Sequence, residues 1–268
     1  MSLDDSNIEK SLYPSTLFHF TSNYSVLRNI LKDKHFKVSY ANEKIIGLNA
    51  ERNFGIPMVS FCDIRLSQLN EHTKKYGHYG LGMSKQWAID NGLNPVNYLN
   101  HNCSVFSYFN GRCQQMNRSL RRISMKEGKD SDTYQIEQKK YRDVINVMRY
   151  MKNYEAPLIR KGVVVNKNYR FANESEWRYI PDIRTDIVPI RIVLDDLNPD
   201  WKVEANAKLG NHEEAFLKFD YGDIKYIFVK NERMAKAMIK FIMSSFDDDV
   251  YPQLISKIFI SSQVFDDL

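Results

Sequence analysis

The hydrophobic positions of this chain follow a two-residue period towards both ends and a helical period in the middle. In a strand, side chains alternate between two faces, so short apolar or alternating segments predict strands. Four such segments lie in the first third of the chain: LFHF (17–20), FKVSY (36–40), PMVSFC (57–62) and YGLGMS (79–84). Five more follow residue 162: VVV (163–165), EWRYI (176–180), VPIRIVL (188–194), IKYIFVK (224–230) and IFISSQVF (258–265).

Helical periodicity predicts the elements between these strands. Aliphatic residues at helical spacing predict a helix that follows the first strand and ends at about Lys34. Ser84 and Gly92 bracket a short helix as its start and its C′ residue. Apolar residues at i, i+3 and i+4 predict an amphipathic helix over 134–153. The two glycines of YGLGMS predict a close approach to that strand's backbone.

Two segments lack a clear period. Residues 42–55 predict an exposed loop, and the polar, basic residues 112–133 predict a mobile connection. Strand-rich ends around a helical middle indicate an α+β fold. We therefore treat 1–268 as a single α+β domain in which 112–161 is a helical insertion.

Composition is that of a globular protein able to bury a sizeable core: 268 residues, 43% of them hydrophobic and 26% charged. No apolar run approaches the ~20 residues that cross a bilayer, and MSLDDSNIEK has no apolar signal-peptide core. We expect a cytoplasmic protein without membrane contact. The three cysteines lack CxxC spacing and indicate free thiols. His101, Cys103 and Cys113 come nearest to a ligand set, but a structural metal site normally needs four ligands, so we expect no metal.

Charge is distributed unevenly along the chain. Residues 112–161 contain 13 Lys/Arg against 6 Asp/Glu, whereas residues 182–268 contain 11 against 16. The basic segment could be a solvated helix face, could bind the acidic C-terminal part of the same chain, or could bind an acidic partner or a nucleic acid. A solvated face is the commonest explanation, so charge alone identifies no partner.

The segment NESEWRYIP (173–181) contains the pair of residues most suggestive of chemistry. In a strand, Glu174 and Glu176 point to one face, and their repulsion raises one pKa, which suits acid–base work or the binding of ribose hydroxyls. The alternative is an exposed edge strand in which one glutamate pairs with Arg178 or another surface base. Spacing alone favours this surface pair, since most exposed charge pairs do no chemistry.

Two other strands carry polar residues at positions where burial is expected. His19 interrupts LFHF and is either a hydrogen-bonded core histidine or a ligand contact, with Thr21 on the same face. Ser60 and Cys62 share a face of PMVSFC. No GxSxG surrounds Ser60, no histidine obviously pairs with Cys62, and the chain lacks a Walker A or GxGxxG motif. These observations argue against the common hydrolase and phosphate-loop sites.

The order of the motifs, a strand with His-x-Thr, a helix, a strand with a central Ser and a late strand with Glu-x-Glu, resembles the ADP-ribosyltransferase fold. The resemblance implies two small sheets packed together, with NAD in the cleft between them, so His19 and Glu176 must face one cleft. The catalytic residues that it implies are the two glutamates of the Glu-x-Glu motif, Glu174 and Glu176, of which Glu176 is the catalytic carboxylate. The cofactor-binding residues that it implies are His19, Thr21 and Ser60, with Tyr40 and Tyr79 as candidates for stacking on nicotinamide.

A longer resemblance spans about residues 17–185. The segments FHFTSNYSVLRNIL, PMVSFCDIRLSQLNEHTKKYGHYGLGMSKQWA, NPVNYL and NESEWRYIP resemble the AbiGi family of bacterial abortive-infection phage-defence systems. This resemblance implies an antitoxin paired with a nucleotidyltransferase-like toxin.

Three hypotheses follow from these patterns. The first is an antitoxin that binds its partner on a transferase-like scaffold, which predicts an exposed apolar patch or acidic surface. The second is an active NAD-dependent ADP-ribosyltransferase or NAD glycohydrolase that uses His19, Ser60 and Glu176. The third is a nucleic-acid-binding regulator that uses residues 112–161, for which affinity falls steeply with salt.

Overall fold

The structure, a computed structural model, describes residues 14–160, 163–181, 192–193 and 200–266. Its strands over these ranges are β1 (Thr16–Thr21), β2 (His35–Phe36), β3 (Ser39–Gly47), β4 (Ala50–Cys62), β5 (Tyr79–Ser84), β6 (Asn94–Pro95), β7 (Asn97–Leu99), β8 (Met151–Asn153), β9 (Glu155–Arg160), β10 (Val163–Arg170), β11 (Glu176–Tyr179), β12 (Ile192–Val193), β13 (Leu217–Lys218), β14 (Ile224–Val229) and β15 (Ile258–Ile260). Its helices are α1 (Tyr24–Asp33), α2 (Leu69–Tyr76), α3 (Lys85–Asp90), α4 (Val105–Glu127), α5 (Asp132–Met148), α6 (Trp201–Leu209), α7 (Glu232–Ser245), α8 (Tyr251–Ile255) and α9 (Ser261–Asp266). The predicted α+β class is confirmed.

One sheet organises the molecule. Its strands run in the order β15-β14-β5-β1-β4-β11-β6, and β3 and β12 also pair with β4. The pairs are antiparallel except for β14 with β15. The three strands that carry the His-x-Thr, serine and Glu-x-Glu motifs are direct neighbours, because β1 pairs with β4 and β4 pairs with β11.

The register of these strands fixes which side chains share a face of the sheet. Phe18 lies opposite Cys62, and Cys62 lies opposite Glu176. Residues opposite one another in paired strands point to the same side, and their chain neighbours point to the other side. We call the side of Phe18, Cys62 and Glu176 the charge face. The opposite side, to which Phe61 and Trp177 point, is the apolar face.

The apolar face carries the largest hydrophobic cluster of the described residues. Asn23 begins α1 by accepting the Ser25 N–H at 2.8 Å, and Leu27 and Leu31 of this helix are fully buried in the cluster. Met238 of α7 is buried in the same cluster. Full burial of such a side chain contributes about 1.5–3 kcal/mol, so the helices and this face stabilise one another.

The two glycines of β5 allow neighbouring strands to pack closely. A Cβ added at Gly80 would lie 2.4 Å from the carbonyl oxygen of His19, and one added at Gly82 would lie 2.9 Å from the ring of Tyr226. The predicted close approach to this backbone is therefore made by β1 and β14.

The loop predicted over 42–55 is wrong. These residues lie mostly in β3 and β4, which form a long antiparallel hairpin that turns after Gly47. Ile45 and Phe54 are buried within it, while the charged residues Lys44 and Glu51 occupy exposed positions. The frequent charges concealed the strand period in the sequence.

The mobile connection predicted over 112–133 is also wrong, because most of it belongs to α4. Phe106, Cys113 and Leu120 of this helix recur every seven residues and are buried. The other positions of α4 are mainly polar or basic, so its apolar stripe is narrow. The predicted helix over 134–153 is confirmed in α5, which ends earlier at Met148.

Helices α4 and α5 form the helical hairpin (105–148), which occupies most of the predicted insertion. Phe106, Cys113, Ile145 and Met148 anchor it in a core cluster with Phe54 of β4. No residue from 114 to 140 belongs to a core cluster. The distal half of the hairpin therefore lies outside the core.

Two predicted strands differ from the structure or lie largely outside it. Of the predicted strand 188–194, only residues 192–193 lie within the described part of the chain, and they form β12. The strand predicted over 258–265 ends at Ile260 and continues as α9. Among the helices of the described ranges, none is both long enough and apolar enough to cross a membrane.

Candidate functional site

Glu176, the first residue of β11, lies at the centre of a buried network of charges. Its Oε1 accepts hydrogen bonds from Ser60 Oγ at 2.9 Å and from Arg178 Nε at 2.7 Å. Its Oε2 accepts one from Lys152 Nζ at 2.6 Å. The residue is only 4% exposed. Both carboxylate oxygens are thus engaged by groups of the protein itself.

A second carboxylate and a main-chain carbonyl complete the surroundings of the cations. Arg178 is fully buried, with Nη2 3.0 Å from Glu43 Oε2 and Nη1 donating to the Arg149 carbonyl oxygen at 2.7 Å. Lys152 Nζ lies 3.8 Å from Glu43 Oε1 and 4.0 Å from Glu174 Oε2. We call this set the charge cluster: Glu43, Lys152, Glu174, Glu176 and Arg178.

Glu174 reaches the cluster from a turn. It ends the 3-10 segment Phe171–Glu174, and Ser175, with φ +43°, redirects the chain into β11. Its Oε1 accepts hydrogen bonds from Tyr76 and Tyr169 at 2.5 and 2.8 Å. Glu174 is 6% exposed, so both glutamates are buried. The surface pair favoured by spacing is therefore wrong, although Arg178 is a partner as that alternative proposed.

Ion pairing decides the protonation of the cluster. Burial by itself raises the pKa of Glu176, but the charges of Arg178 and Lys152 outweigh it and hold that pKa well below its usual range. Burial lowers the pKa of Lys152, but Glu176 and Glu43 raise it more, and the net shift is upward. The pKa of Arg178 is raised by the same two carboxylates against the effect of burial. These three groups are therefore ionised near neutral pH, as their mutual compensation requires.

Tyr98 ties the network to the backbone of β11. Its phenol oxygen accepts the N–H of Glu176 at 2.7 Å, and burial raises the pKa of Tyr98 to about 12. Through Glu43, Ser60, Tyr98, Lys152 and Arg178 the cluster links five strands, β3, β4, β7, β8 and β11.

His19 lies on the apolar face, away from the charge cluster. It is opposite Leu81 of β5, and its ring packs 5.2 Å from that of Phe36 and 5.5 Å from that of Phe61. Its Nδ1 lies 2.9 Å from the carbonyl oxygen of Ser60. A carbonyl oxygen only accepts, so Nδ1 carries the hydrogen. Burial lowers the pKa of His19 more than this bond raises it. These contacts match the core-histidine alternative.

Three further predicted ligand contacts also point to the apolar face. Thr21 lies opposite Tyr79, whose ring packs 5.5 Å from Tyr24. Tyr40 is fully buried, its ring centroid lies 6.3 Å from that of Trp201, and burial raises its pKa. Of the predicted residues, the structure brings together Ser60, Glu174 and Glu176, and it places the other four across the sheet from them.

In the described part of the chain, His19 and Glu176 do not face the single cleft that the transferase resemblance implies. The sheet separates His19 from Glu176, and the oxygens of Glu176 are already bonded to Ser60, Lys152 and Arg178. The catalytic and NAD-binding assignments remain predictions, and a measurement of NAD binding can test them. Across the described residues, no group of three His, Cys, Asp or Glu side chains could hold a metal ion, and none of the three cysteines forms a disulfide.

Sequence reasoning missed Lys152 and Glu43 as members of the site. Arg178 could be found, because it lies two residues after Glu176 in a strand and so shares its face. Lys152 and Glu43 lie at distant positions in the sequence and meet Glu176 only through the pairing of β3 with β4 and the placement of β8. No local pattern signals such a contact.

Comparisons with known proteins match most of this chain. A family model described as "abortive phage resistance protein AbiGi, antitoxin" matches residues 24–230. A protein of Lactococcus lactis subsp. cremoris, named abortive phage resistance protein AbiGi, is 27% identical over 253 residues, covering 87% of this chain and 95% of that protein. No solved structure matches the chain.

Proposed function

The chain belongs to the AbiGi family of abortive phage resistance proteins, and we propose that it acts as an antitoxin that binds and masks a toxin protein. The match of the antitoxin family model to residues 24–230 is the observation that carries this proposal. The toxin is nucleotidyltransferase-like, as the family resemblance implies. The adjacency of β1, β4 and β11 supports an ADP-ribosyltransferase-like scaffold for the binding protein.

An exposed apolar ribbon fits the surface that such an antitoxin needs. β9 and β10 form a separate two-stranded sheet, the ribbon (155–160 and 163–170), in which each strand pairs only with the other among the described residues. Val163, Val164 and Val165 are 64, 49 and 56% exposed, and Ile159 is 48% exposed. Exposed β-branched side chains beside open strand edges favour pairing with another chain. We place the toxin on this ribbon.

The charge cluster supports a structural role for the former motif residues. An oxocarbenium-like transition state is stabilised by a carboxylate that faces the substrate. Glu176 instead faces Arg178, Lys152 and Ser60 inside the protein. In the antitoxin these groups hold the strands of the scaffold together.

Co-expression with the nucleotidyltransferase-like protein of the same defence system tests the proposal. We expect the wild-type chain to relieve the growth arrest caused by the toxin and to co-purify with it. The double variant Val163→Asp/Val165→Asp should lose both effects, because it places charges within the apolar contact. The matched control is Val203→Asp on α6, where Val203 is 70% exposed, and it should keep both. A wild-type chain that neither binds nor protects would overturn the antitoxin function.

Turnover of NAD separates the enzymatic alternative from this proposal. Wild-type protein and Glu176→Gln are incubated with NAD, and released nicotinamide is measured. Release by the wild type that the variant lacks would establish an NAD-consuming enzyme in place of a masking scaffold. Without release by either protein, Glu176 keeps its structural role.

A further inference from the structure

Helix α4 carries a group of cations without counter-ions, the α4 cations, on its outward half. All five are exposed: Arg112, Arg118, Arg121, Arg122 and Lys126. Residues 105–126 contain no Asp or Glu. Within the part of the chain that the structure describes, none of the five forms an ion pair, and their one side-chain hydrogen bond joins Arg112 to Gln115. The described acidic residues of the C-terminal part therefore do not neutralise the α4 cations.

The helix geometry spreads these cations over the outward half of α4. Phe106, Cys113 and Leu120 mark the inner side of α4, and the cations occupy positions on the outward half between and beyond them. At 1.5 Å per residue, Arg112 and Lys126 are about 21 Å apart along the axis. Most of the α4 cations lie in the distal half of the helical hairpin, outside the core clusters.

The composition of this surface favours phosphate groups over a protein partner. The centre of a protein interface is depleted of charge and enriched in aromatic residues. Here charges and amides occupy the centre, and the exposed apolar side chains, Tyr108 and Met125 at 76 and 87% exposure, lie towards its ends. Four of the five cations are arginines, and a planar guanidinium group can donate two parallel hydrogen bonds to the oxygens of one phosphate.

Two further features select duplex DNA among nucleic acids. Residues 112–126, which hold all five cations, contain no aromatic side chain, and the exposed Tyr108 lies one turn before them, whereas proteins that bind single strands stack successive bases on several aromatic rings. An α-helix with its side chains is about 10–12 Å wide and matches the roughly 12 Å major groove of B-DNA. The major groove of A-form RNA is too narrow for side chains to enter. We propose that α4 binds the phosphate backbone of duplex DNA, independently of the base sequence. This activity is additional to the protein-binding function of the chain.

Fluorescence anisotropy with a labelled 30-base-pair DNA duplex of arbitrary sequence tests this proposal. With five phosphate contacts, the affinity of the full chain should fall about 500-fold between 50 and 200 mM NaCl, a log–log slope of about −4.5. The variant Arg118→Gln/Arg121→Gln/Arg122→Gln removes three contacts, and its slope should shrink to about −2. Its matched control removes three exposed cations of α7, Arg233→Gln/Lys236→Gln/Lys240→Gln, and should keep the wild-type slope.

Each other outcome overturns the proposal. These are the absence of binding at 50 mM NaCl, an equal loss in the α7 control, and equal affinity for a single-stranded 30-mer or a 30-base-pair RNA duplex. Circular dichroism compares the helix content of both triple variants. If the α4 triple variant loses helix content, the pair Arg122→Gln/Lys126→Gln replaces it, and an unchanged slope in that pair overturns the proposal equally.

Discussion

The two faces of the central sheet use the same three strands in opposite ways. On the apolar face, His19, Phe61 and Trp177 pack among aliphatic and aromatic side chains. On the charge face, Ser60 and Glu176 belong to an ionic network that also includes Lys152 and Arg178. The apolar face is held by burial, which needs no specific partner, whereas the ionic network of the charge face is held by mutual compensation, in which every member depends on the others.

This contrast shows why a set of motif letters need not form one site. His19 and Ser60 are joined by a hydrogen bond, yet it is the backbone of Ser60 that His19 touches and the side chain of Ser60 that Glu176 touches. The Ser60 carbonyl oxygen is bonded to His19, whose side chain lies on the apolar face, and the Ser60 hydroxyl is bonded to Glu176 on the charge face. Three neighbouring strands therefore bring the motifs together in the sheet while their side chains diverge.

The largest loss of stability that we expect on the charge face is caused by the substitution Arg178→Met. Arg178 is fully buried, and its removal leaves Glu43 and Glu176 with Lys152 as their main cation. Leaving buried charge uncompensated costs about 3–5 kcal/mol of the free energy of unfolding. Urea denaturation followed by circular dichroism measures it.

The neighbouring position on the apolar face supplies the control for this variant. Trp177 is partly buried, and Trp177→Phe keeps an aromatic ring there, so we expect a loss of only about 1 kcal/mol. If the two variants cost the same, the charge face does not depend on compensation as described.

A smaller and more specific effect is the coupling between Lys152 and Glu176. In a double-mutant cycle of Lys152→Met and Glu176→Gln, the double variant should lose less stability than the sum of the single variants. We expect a coupling energy of about 1–3 kcal/mol, because the two groups compensate one another at 2.6 Å. The pair Lys34 and Asp220, whose side chains are 44 and 83% exposed, serves as the reference and should couple by less than about 1 kcal/mol. Additive losses at Lys152 and Glu176 would contradict the network.

Much of the fold follows from local patterns. LFHF forms β1, Ser84 begins α3 by accepting the Trp87 N–H, and Gly92 follows that helix with φ +70°. These features depend on residues within one turn or one strand, so a sequence displays them directly. The hairpin over 42–55 was missed because its frequent charged residues hide the alternating pattern of a strand. Its two strands are stabilised by pairing with each other, and a local pattern does not reveal that pairing.

The candidate site was predicted only in part, for the same physical reason. Glu176 and Ser60 were singled out, and the structure does bring them together. Their burial could not be predicted, because glutamate, lysine and arginine are rarely buried without partners, and the partners Lys152 and Glu43 come from distant strands. The position of His19 across the sheet depends on the register of β1 with β4, which the sequence does not state.

The smallest effect that we expect is a pH dependence of stability that arises from His19 on the apolar face and not from Glu176 on the charge face. Burial keeps the pKa of His19 below its usual range, so the folded protein does not bind a proton where the unfolded chain does, at about pH 6.5. The unfolded state then binds more protons, and stability falls as the pH drops from 7.5 to 5.5. Glu176 does not titrate in this window, because its pKa is held well below the usual range. The fall should be shallower in His19→Gln, where the remaining slope includes His78, whose pKa burial also lowers. Urea denaturation at several pH values measures both slopes, and equal slopes would show that His19 is protonated as readily in the folded protein as in the unfolded chain.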